Sequence, residues 1–253
     1  MFSPTVFSTL RSVQSSKPGS VRLFCIPYAG GSASVYSDWI TSVPDWLQIC
    51  PVELPGRGWL WMKPLATSLV ELARIISSAI YPYAHGQYAI FGHSMGALLA
   101  YEVALNLKAL GRHDLCRLFI SGSRAPFRAN KRSSISQLSD DEFLDHIRSM
   151  RGTPEEILTN PELMKLFVPL LRADFQMCEE YRVDRVQPLR CAVTVLGGEA
   201  DEEVSEGDLR MWSRIIAGEF QCLRFPGGHF FIKDNKNDVI SAIFRELERH
   251  RLE

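Results

Sequence analysis

The stretch from Phe91 to Ala104, FGHSMGALLAYEVA, sets one serine between two glycines where one hydrophobic period gives way to another. Upstream lies YAIF (88–91), a short apolar run suited to a buried strand. Downstream of Gly96 the chain reads ALLAYEVALNLKAL, mostly helix formers, closed by Gly111 as a C-terminal stop. Ser94 therefore belongs on a sharp strand-to-helix turn, and Gly92 and Gly96 let that turn crowd its neighbours. This is the G-x-S-x-G pattern of a nucleophile elbow. Chance alone places it in about one chain in ten of this length, so its flanking strand and helix carry the argument.

The rest of the chain agrees with such a turn. VRLFCI (21–26) precedes PYAGGSAS, and QICPVE (48–53) precedes LPGRG. LVELARIISSAIYPY (69–83) has helical spacing. CRLFISG (116–122), CAVTVLGG (191–198) and FQCLRF (220–225) read as further strands, and DVISAIFRELERH near 236–250 as a closing helix. Strands alternating with helices imply βαβ units and a mostly parallel sheet. One block breaks the rhythm. About 135–185 reads as consecutive helices: SDDEFLDHIRSM with a capping box at Ser139 and Glu142, TPEEIL with Thr153 as cap and Pro154 at the first position, and NPELMKLFVPLLRADFQMCEEY with Asn160 and Pro161 in the same roles. Pro169 is expected to kink or break the last of these. An all-helical insertion between sheet strands is a lid candidate.

At 253 residues, 46% apolar and 23% charged, the chain suits one globular α/β domain over 21–253, preceded by a loosely ordered arm over 1–20. A net charge of −1 offers no overall basic field for nucleic acid. No run approaches the length of a membrane span, and the first 20 residues lack the pattern of a secretory signal. Cys25, Cys50, Cys116, Cys178, Cys191 and Cys222 are scattered singly, which suits reduced core thiols in a cytoplasmic protein and no metal site.

Serine hydrolysis needs a nucleophile, a base, a group that orients the base, and oxyanion donors. Ser94 is the nucleophile candidate, with helix capping as its structural alternative. Among six histidines, His229 alone follows a strand and a flexible Pro226-Gly227-Gly228 turn. His93 lies inside the elbow, His85, His113 and His250 sit in polar contexts, and His146 is in the helical block. Asp201, just beyond CAVTVLGG, is the acid candidate; Glu199, Glu202 and Glu203 are its neighbours and Asp174 in LLRADF an outside alternative. The oxyanion donors are expected to be the backbone N–H of Met95 and that of Tyr28 or Ala29 in PYAGGS, Tyr28 being preferred.

CIPYAGGSASVYSDW, VELPGRG, FGHSMGALLAYEVA, LFISGSRAP, RGTPEEIL, PELM, LLRADF, LGGEAD and PGGHFF, in this order from about Leu23 to Phe231, resemble the type II thioesterases. These are stand-alone α/β-hydrolases that accompany nonribosomal peptide and polyketide synthases and are similar to the medium-chain thioesterase of fatty-acid synthesis. The resemblance implies a triad of Ser94, Asp201 and His229, no cofactor beyond the phosphopantetheine borne by the substrate, and hydrolysis of acyl or peptidyl groups from carrier-protein domains to clear stalled or misprimed carriers. Two stretches depart from the family pattern: WLWM follows ELPGRG where basic or polar residues are common, and MRGTP stands where a glycine pair is common. Small-ester hydrolysis, or ligand binding without turnover, are the competing functions of the same fold. The helical block offers Leu144, Ile147, Phe167, Leu170, Leu171 and Phe175 to an acyl chain or to one another, and Arg124, Arg128, Lys131 and Arg132 are candidates for meeting an acidic carrier. A monomer is expected.

Overall fold

The computed structural model describes residues 20–126, 134–153, 155–183 and 187–252. Each predicted strand forms: β1 Val21–Ile26, β2 Leu47–Pro51, β3 Tyr88–His93, β4 Leu115–Ser121, β5 Ala192–Gly198 and β6 Phe220–Phe225. The helices are α1 Ser37–Ile40, α2 Leu69–Ile80, α3 Met95–Ala109, α4 Asp140–Met150, α5 Glu155–Leu158, α6 Pro161–Glu180, α7 Glu206–Arg210, α8 Phe231–Asp234 and α9 Lys236–Leu252. The strands pair in the order β2-β1-β3-β4-β5-β6, every pair parallel. This is the α/β-hydrolase architecture expected from the sequence.

A parallel sheet is covered on both faces, so its inner strands are buried almost throughout and read as continuous apolar runs, while the edge strand β6 is mostly half-buried. The two-residue period then sorts those side chains between two cores. Phe24, Ile26, Tyr88 and Ile90 pack with α2 and α3, whereas Leu23, Cys25, Ala89 and Phe91 pack with α1 and α9. α3 follows the elbow and is buried on most of its circumference, through Met95, Leu99, Ala100, Tyr101, Val103, Ala104 and Leu107. It packs against β3 and β4 on one side and against α2 and α6 on others, which explains its weak amphipathicity. After β1 the chain goes to β2 on one side and then returns to β3 on the other. The loops after β1 and β3 therefore diverge from a switch point, where α/β sheets place their ligand crevices.

Between β4 and β5 the described residues hold α4, α5 and α6 and no strand. The caps are those expected: Ser139 and Glu142 form a reciprocal capping box, and Asn160 accepts from the N–H groups of Glu162 and Leu163 with Pro161 at the first position. Thr153 precedes α5, and Pro154 lies outside the described residues. Pro169 does not break α6, which runs through it for 20 residues. The lost N–H bond is local, while Met164 before it and Leu170, Leu171 and Met177 after it are buried on the same packed helix, so tertiary packing outweighs the proline penalty. Phe143, Ile147 and Leu171 form a small core for this segment, with Phe167 and Phe175 against it. The arm residues 1–19 and the basic residues Arg128, Lys131 and Arg132 also lie outside the described residues. Among those described, no helix is long and apolar enough to cross a membrane.

Candidate active site

Ser94 occupies a backbone conformation that few non-glycine residues adopt, φ 55° and ψ −115°. Strain of this kind costs about 1–3 kcal/mol and persists only where the surroundings over-determine it. They do so here. A Cβ on Gly92 would fall 1.9 Å from the carbonyl oxygen of Gly96, and one on Gly96 would fall 2.3 Å from that of Ile26. The Ser94 side chain caps nothing, which removes the structural alternative and leaves its hydroxyl free at the start of α3.

The base and acid candidates are delivered by adjacent strand ends. Glu199 N–H donates to Phe225 O (2.8 Å) and Ala200 N–H to Gly227 O (2.9 Å), so the loops after β5 and β6 are laced together. Asp201 Oδ1 accepts the N–H groups of Glu203 (2.8 Å) and Val204 (3.1 Å). That fixes the carboxylate and turns Oδ2 toward His229, whose Nδ1–H donates to it at 2.9 Å. With the proton on Nδ1, Nε2 is left as an acceptor, and it lies 3.1 Å from Ser94 Oγ. Both side chains of the acid–imidazole pair are nearly removed from solvent, at 0% for Asp201 and 7% for His229. A hydroxyl in such a line can lose its proton as it attacks, the imidazolium being held by the buried carboxylate.

The remaining histidines take other roles. His85 and His113 are exposed and His250 half-buried near the end of α9. His146 stands edge-on to Phe175. His93 is fully buried beneath the site, its Nδ1 sharing a 2.9 Å hydrogen bond with Ser121 Oγ and its ring 5.1 Å from that of His229. Burial holds its pKa well below the usual imidazole value, and the charges of His229 and Lys233 lower it further. The sign follows from the proton count: below an unfolded pKa of about 6.5 the unfolded chain binds a proton that the folded chain refuses. Stability contributed by neutral His93 is thus intact above that pH and is lost below it, by up to about 1.4 kcal/mol per unit. A melting-temperature series from pH 7.5 to 5 is expected to fall toward acid, with a shallower slope in His93→Asn.

Two cavities meet at Ser94 and Met95. One, of about 180 Å³, is bordered by Arg124, Arg182, Glu179 and Glu203. The other, of about 100 Å³, is lined by Ala29, Ile147, Met150, Leu171, Phe175 and Phe230. So Ile147, Leu171 and Phe175 of the helical segment face the site, whereas Phe167 packs into that segment's own core. Of the two candidate donors in PYAGGS, Ala29 lines the cavity; the Tyr28 ring stands edge-on to Phe230 at 5.0 Å and to His93 at 5.8 Å. A wider cleft of about 940 Å³ lies at the opposite end of the sheet, with Cys116 and Cys191 on its wall. Burial pushes these thiols up to about 12 and about 11, so neither supplies a thiolate nucleophile near neutral pH.

Asp174 takes no part in orienting His229. Its carboxylate is buried against Arg57 instead, Oδ2 2.6 Å from Nη1 and Oδ1 2.9 Å from Nη2. In the sequence it is only an outside alternative to Asp201 as the acid. Its partner lies 117 residues away, in a motif quoted above with no chemistry attached. All six cysteines are unpaired, and among the described residues no three His, Cys, Asp or Glu side chains cluster as metal ligands would.

The profile of the thioesterase domain family matches residues 21–247. The gramicidin S biosynthesis protein GrsT of Aneurinibacillus migulanus is 35% identical over 227 residues, which cover 90% of this chain and 89% of that protein. Thioesterase PikA5 of Streptomyces venezuelae is 35% identical over 242 residues, 94% of this chain and 85% of its own. Among solved structures, ClbQ from the colibactin NRPS/PKS pathway superimposes with a TM-score of 0.87 at 30% identity, covering 92% of this chain and 99% of ClbQ.

Proposed function

The chain belongs to the thioesterase family, and from that premise we propose that it is a type II editing enzyme that hydrolyses acyl or peptidyl thioesters from the phosphopantetheine arm of carrier proteins in nonribosomal peptide or polyketide synthesis. The observation that carries the reading is the continuous line from Asp201 Oδ2 through His229 to Ser94 Oγ, with links of 2.9 and 3.1 Å. Relatives named for gramicidin S biosynthesis and for the colibactin NRPS/PKS pathway support the carrier-bound substrate.

In this mechanism His229 Nε2 takes the proton of Ser94 Oγ as the oxygen bonds to the thioester carbonyl carbon. The carbonyl π pair moves onto oxygen, where the backbone N–H groups of Met95 and Ala29 receive the negative charge. Each donor of this kind is worth about 3–4 kcal/mol of barrier. Collapse breaks the carbon–sulfur bond. The proton that His229 took from Ser94 goes to the departing sulfur, which leaves His229 neutral for the second half; a thiol pKa near 8.5 lets this transfer lag behind bond breaking more than an amine or alkoxide would allow. His229 then takes a proton from water as that water attacks the acyl-serine, and returns it to Ser94 Oγ as the acid departs. Asp201 holds the Nδ1–H tautomer throughout and stabilises the imidazolium.

The apolar cavity takes the acyl group, and the wall bearing Arg124 and Arg182 takes the more polar arm. Turnover of an acyl-loaded carrier protein, followed by intact mass, is expected to exceed that of a free aryl ester of the same acyl group by about tenfold or more in kcat/KM. Equal efficiency on the two would remove the carrier from the reading and leave a small-ester hydrolase.

A further inference from the structure

We propose that Asp174 is a positioning residue, setting the loop that presents the Ala29 N–H to the oxyanion; the inference rests on the mechanism above. Asp174 Oδ2 accepts the N–H of Gly30, the residue next to that donor, at 2.8 Å. The same carboxylate is gripped by both terminal nitrogens of Arg57, and Arg57 Nη1 also donates to Gly31 O at 3.3 Å. One buried pair thus ties three segments: α6 through Asp174, the loop after β2 through Arg57, and the loop after β1 through Gly30 and Gly31.

Packing enforces the same register. Gly30 has φ +75°, and a Cβ there would fall 2.6 Å from Leu171 Cδ2 and 3.1 Å from the Phe167 ring, so α6 lies directly on this peptide. From below, Glu53 Oε1 accepts the Ala33 N–H at 3.0 Å. The loop is held at both ends, and its upper holder is a residue of the helical insertion. Leu171 and Phe175, which bracket Asp174 on α6, line the cavity beside Ser94. The surface that receives the acyl group and the group that aims the oxyanion donor therefore belong to one helix.

The ion pair has an electrostatic reason as well. A lone carboxylate this near a developing oxyanion would raise the barrier that the donors lower. Arg57 cancels that charge and leaves the acceptor capacity for Gly30. With side-chain exposures of 6% and 1%, the pair is too buried to be justified by stability alone, since apolar residues of similar volume commonly serve as well or better.

The last point supplies the test. The Arg57→Met/Asp174→Leu double variant removes charge and acceptor together while keeping the volume filled. It is expected to melt within a few degrees of the parent. On a free aryl thioester kcat should fall about tenfold to hundredfold with KM little changed, a partial loss of one oxyanion donor. Affinity for an acyl trifluoromethyl ketone, which forms a tetrahedral adduct on serine, should fall by a similar factor. Asp174→Asn keeps an oxygen for Gly30 but leaves the buried Arg57 without its counter-charge, so it should melt well below the double variant; read at a temperature where it is folded, it should show a smaller parallel loss in both readings. Native kcat and native ketone affinity in either folded variant would overturn the proposal, as would a fall in kcat with ketone affinity unmoved. Ser94→Ala runs alongside. Activity surviving in that variant would bring down the serine mechanism itself, whereas activity lost there but intact in the double variant brings down only the positioning role.

Discussion

Replacing Ser94 by alanine is expected to lower kcat/KM for thioester hydrolysis by about 10,000-fold or more. The proposed mechanism has one oxygen that bonds to the acyl carbon, and nothing near it replaces that oxygen. Thiols that might substitute are ill-placed or protonated; Cys178, on the wall of both cavities, is driven far up the pKa scale by burial. Alanine inherits the strained φ of 55°, but no hydrogen bond of the Ser94 side chain supports the helix, so the fold should survive with a melting temperature close to the parent's. Single-turnover assays on an acyl-carrier protein, with labelling by a fluorophosphonate, would check it. The variant should neither clear the carrier nor take the label. Turnover within tenfold of the parent in a preparation that no longer labels would end the serine mechanism.

Asp201→Asn is expected to cost about as much, again near 10,000-fold, by a different route. Asp201 Oδ1 accepts two backbone N–H groups, from Glu203 and Val204. An asparagine in this site keeps its carbonyl oxygen on those donors, because the reverse orientation would set NH2 against two N–H groups. The amide nitrogen then takes the place of Oδ2 and faces His229 Nδ1. Two donors cannot share that contact, so the imidazole proton moves to Nε2. That nitrogen now presents a hydrogen to Ser94 Oγ, 3.1 Å away in the parent, and cannot receive one. The geometry survives while the base is lost. The expected signature is a native melting temperature, near-native KM, and a rate that climbs with hydroxide at high pH as the serine proton leaves without help. A variant of normal kcat would hand the orienting role to another carboxylate.

The parts of this protein legible in its sequence are those set by short-range rules. Alternation of buried strands and helices announced all six strands to within a residue or two. VRLFCI and FQCLRF coincide with β1 and β6. Ser139 with Glu142 and Asn160 with Pro161 announced two helix starts. Pro169 does not end α6, because its local penalty is real but small beside the burial of a 20-residue helix on both sides of it. Tyr28 and Ala29 are neighbours in one glycine-rich turn, and position in the sequence does not separate their N–H groups; in the fold Ala29 is the one that lines the cavity beside Ser94. The role of Asp174 was not legible at all: an aspartate amid apolar residues signals a buried partner without saying which, and that partner, Arg57, lies 117 residues away.

By itself, then, the sequence determined a parallel α/β sheet with a strained serine at the end of its third strand, an aspartate after its fifth, and a glycine-hinged histidine after its last. These follow from hydrophobic period, cap chemistry and the steric freedom of glycine, each readable within a dozen residues. The tertiary structure alone decided that the imidazole stands between a carboxylate 28 residues before it and a hydroxyl 135 residues before it, and that Arg57 and Asp174, 117 residues apart, lock α6 onto the loop at Gly30. Such pairings depend on strand order and helix docking, which arise from the whole buried surface at once and leave no trace in any short window of the chain.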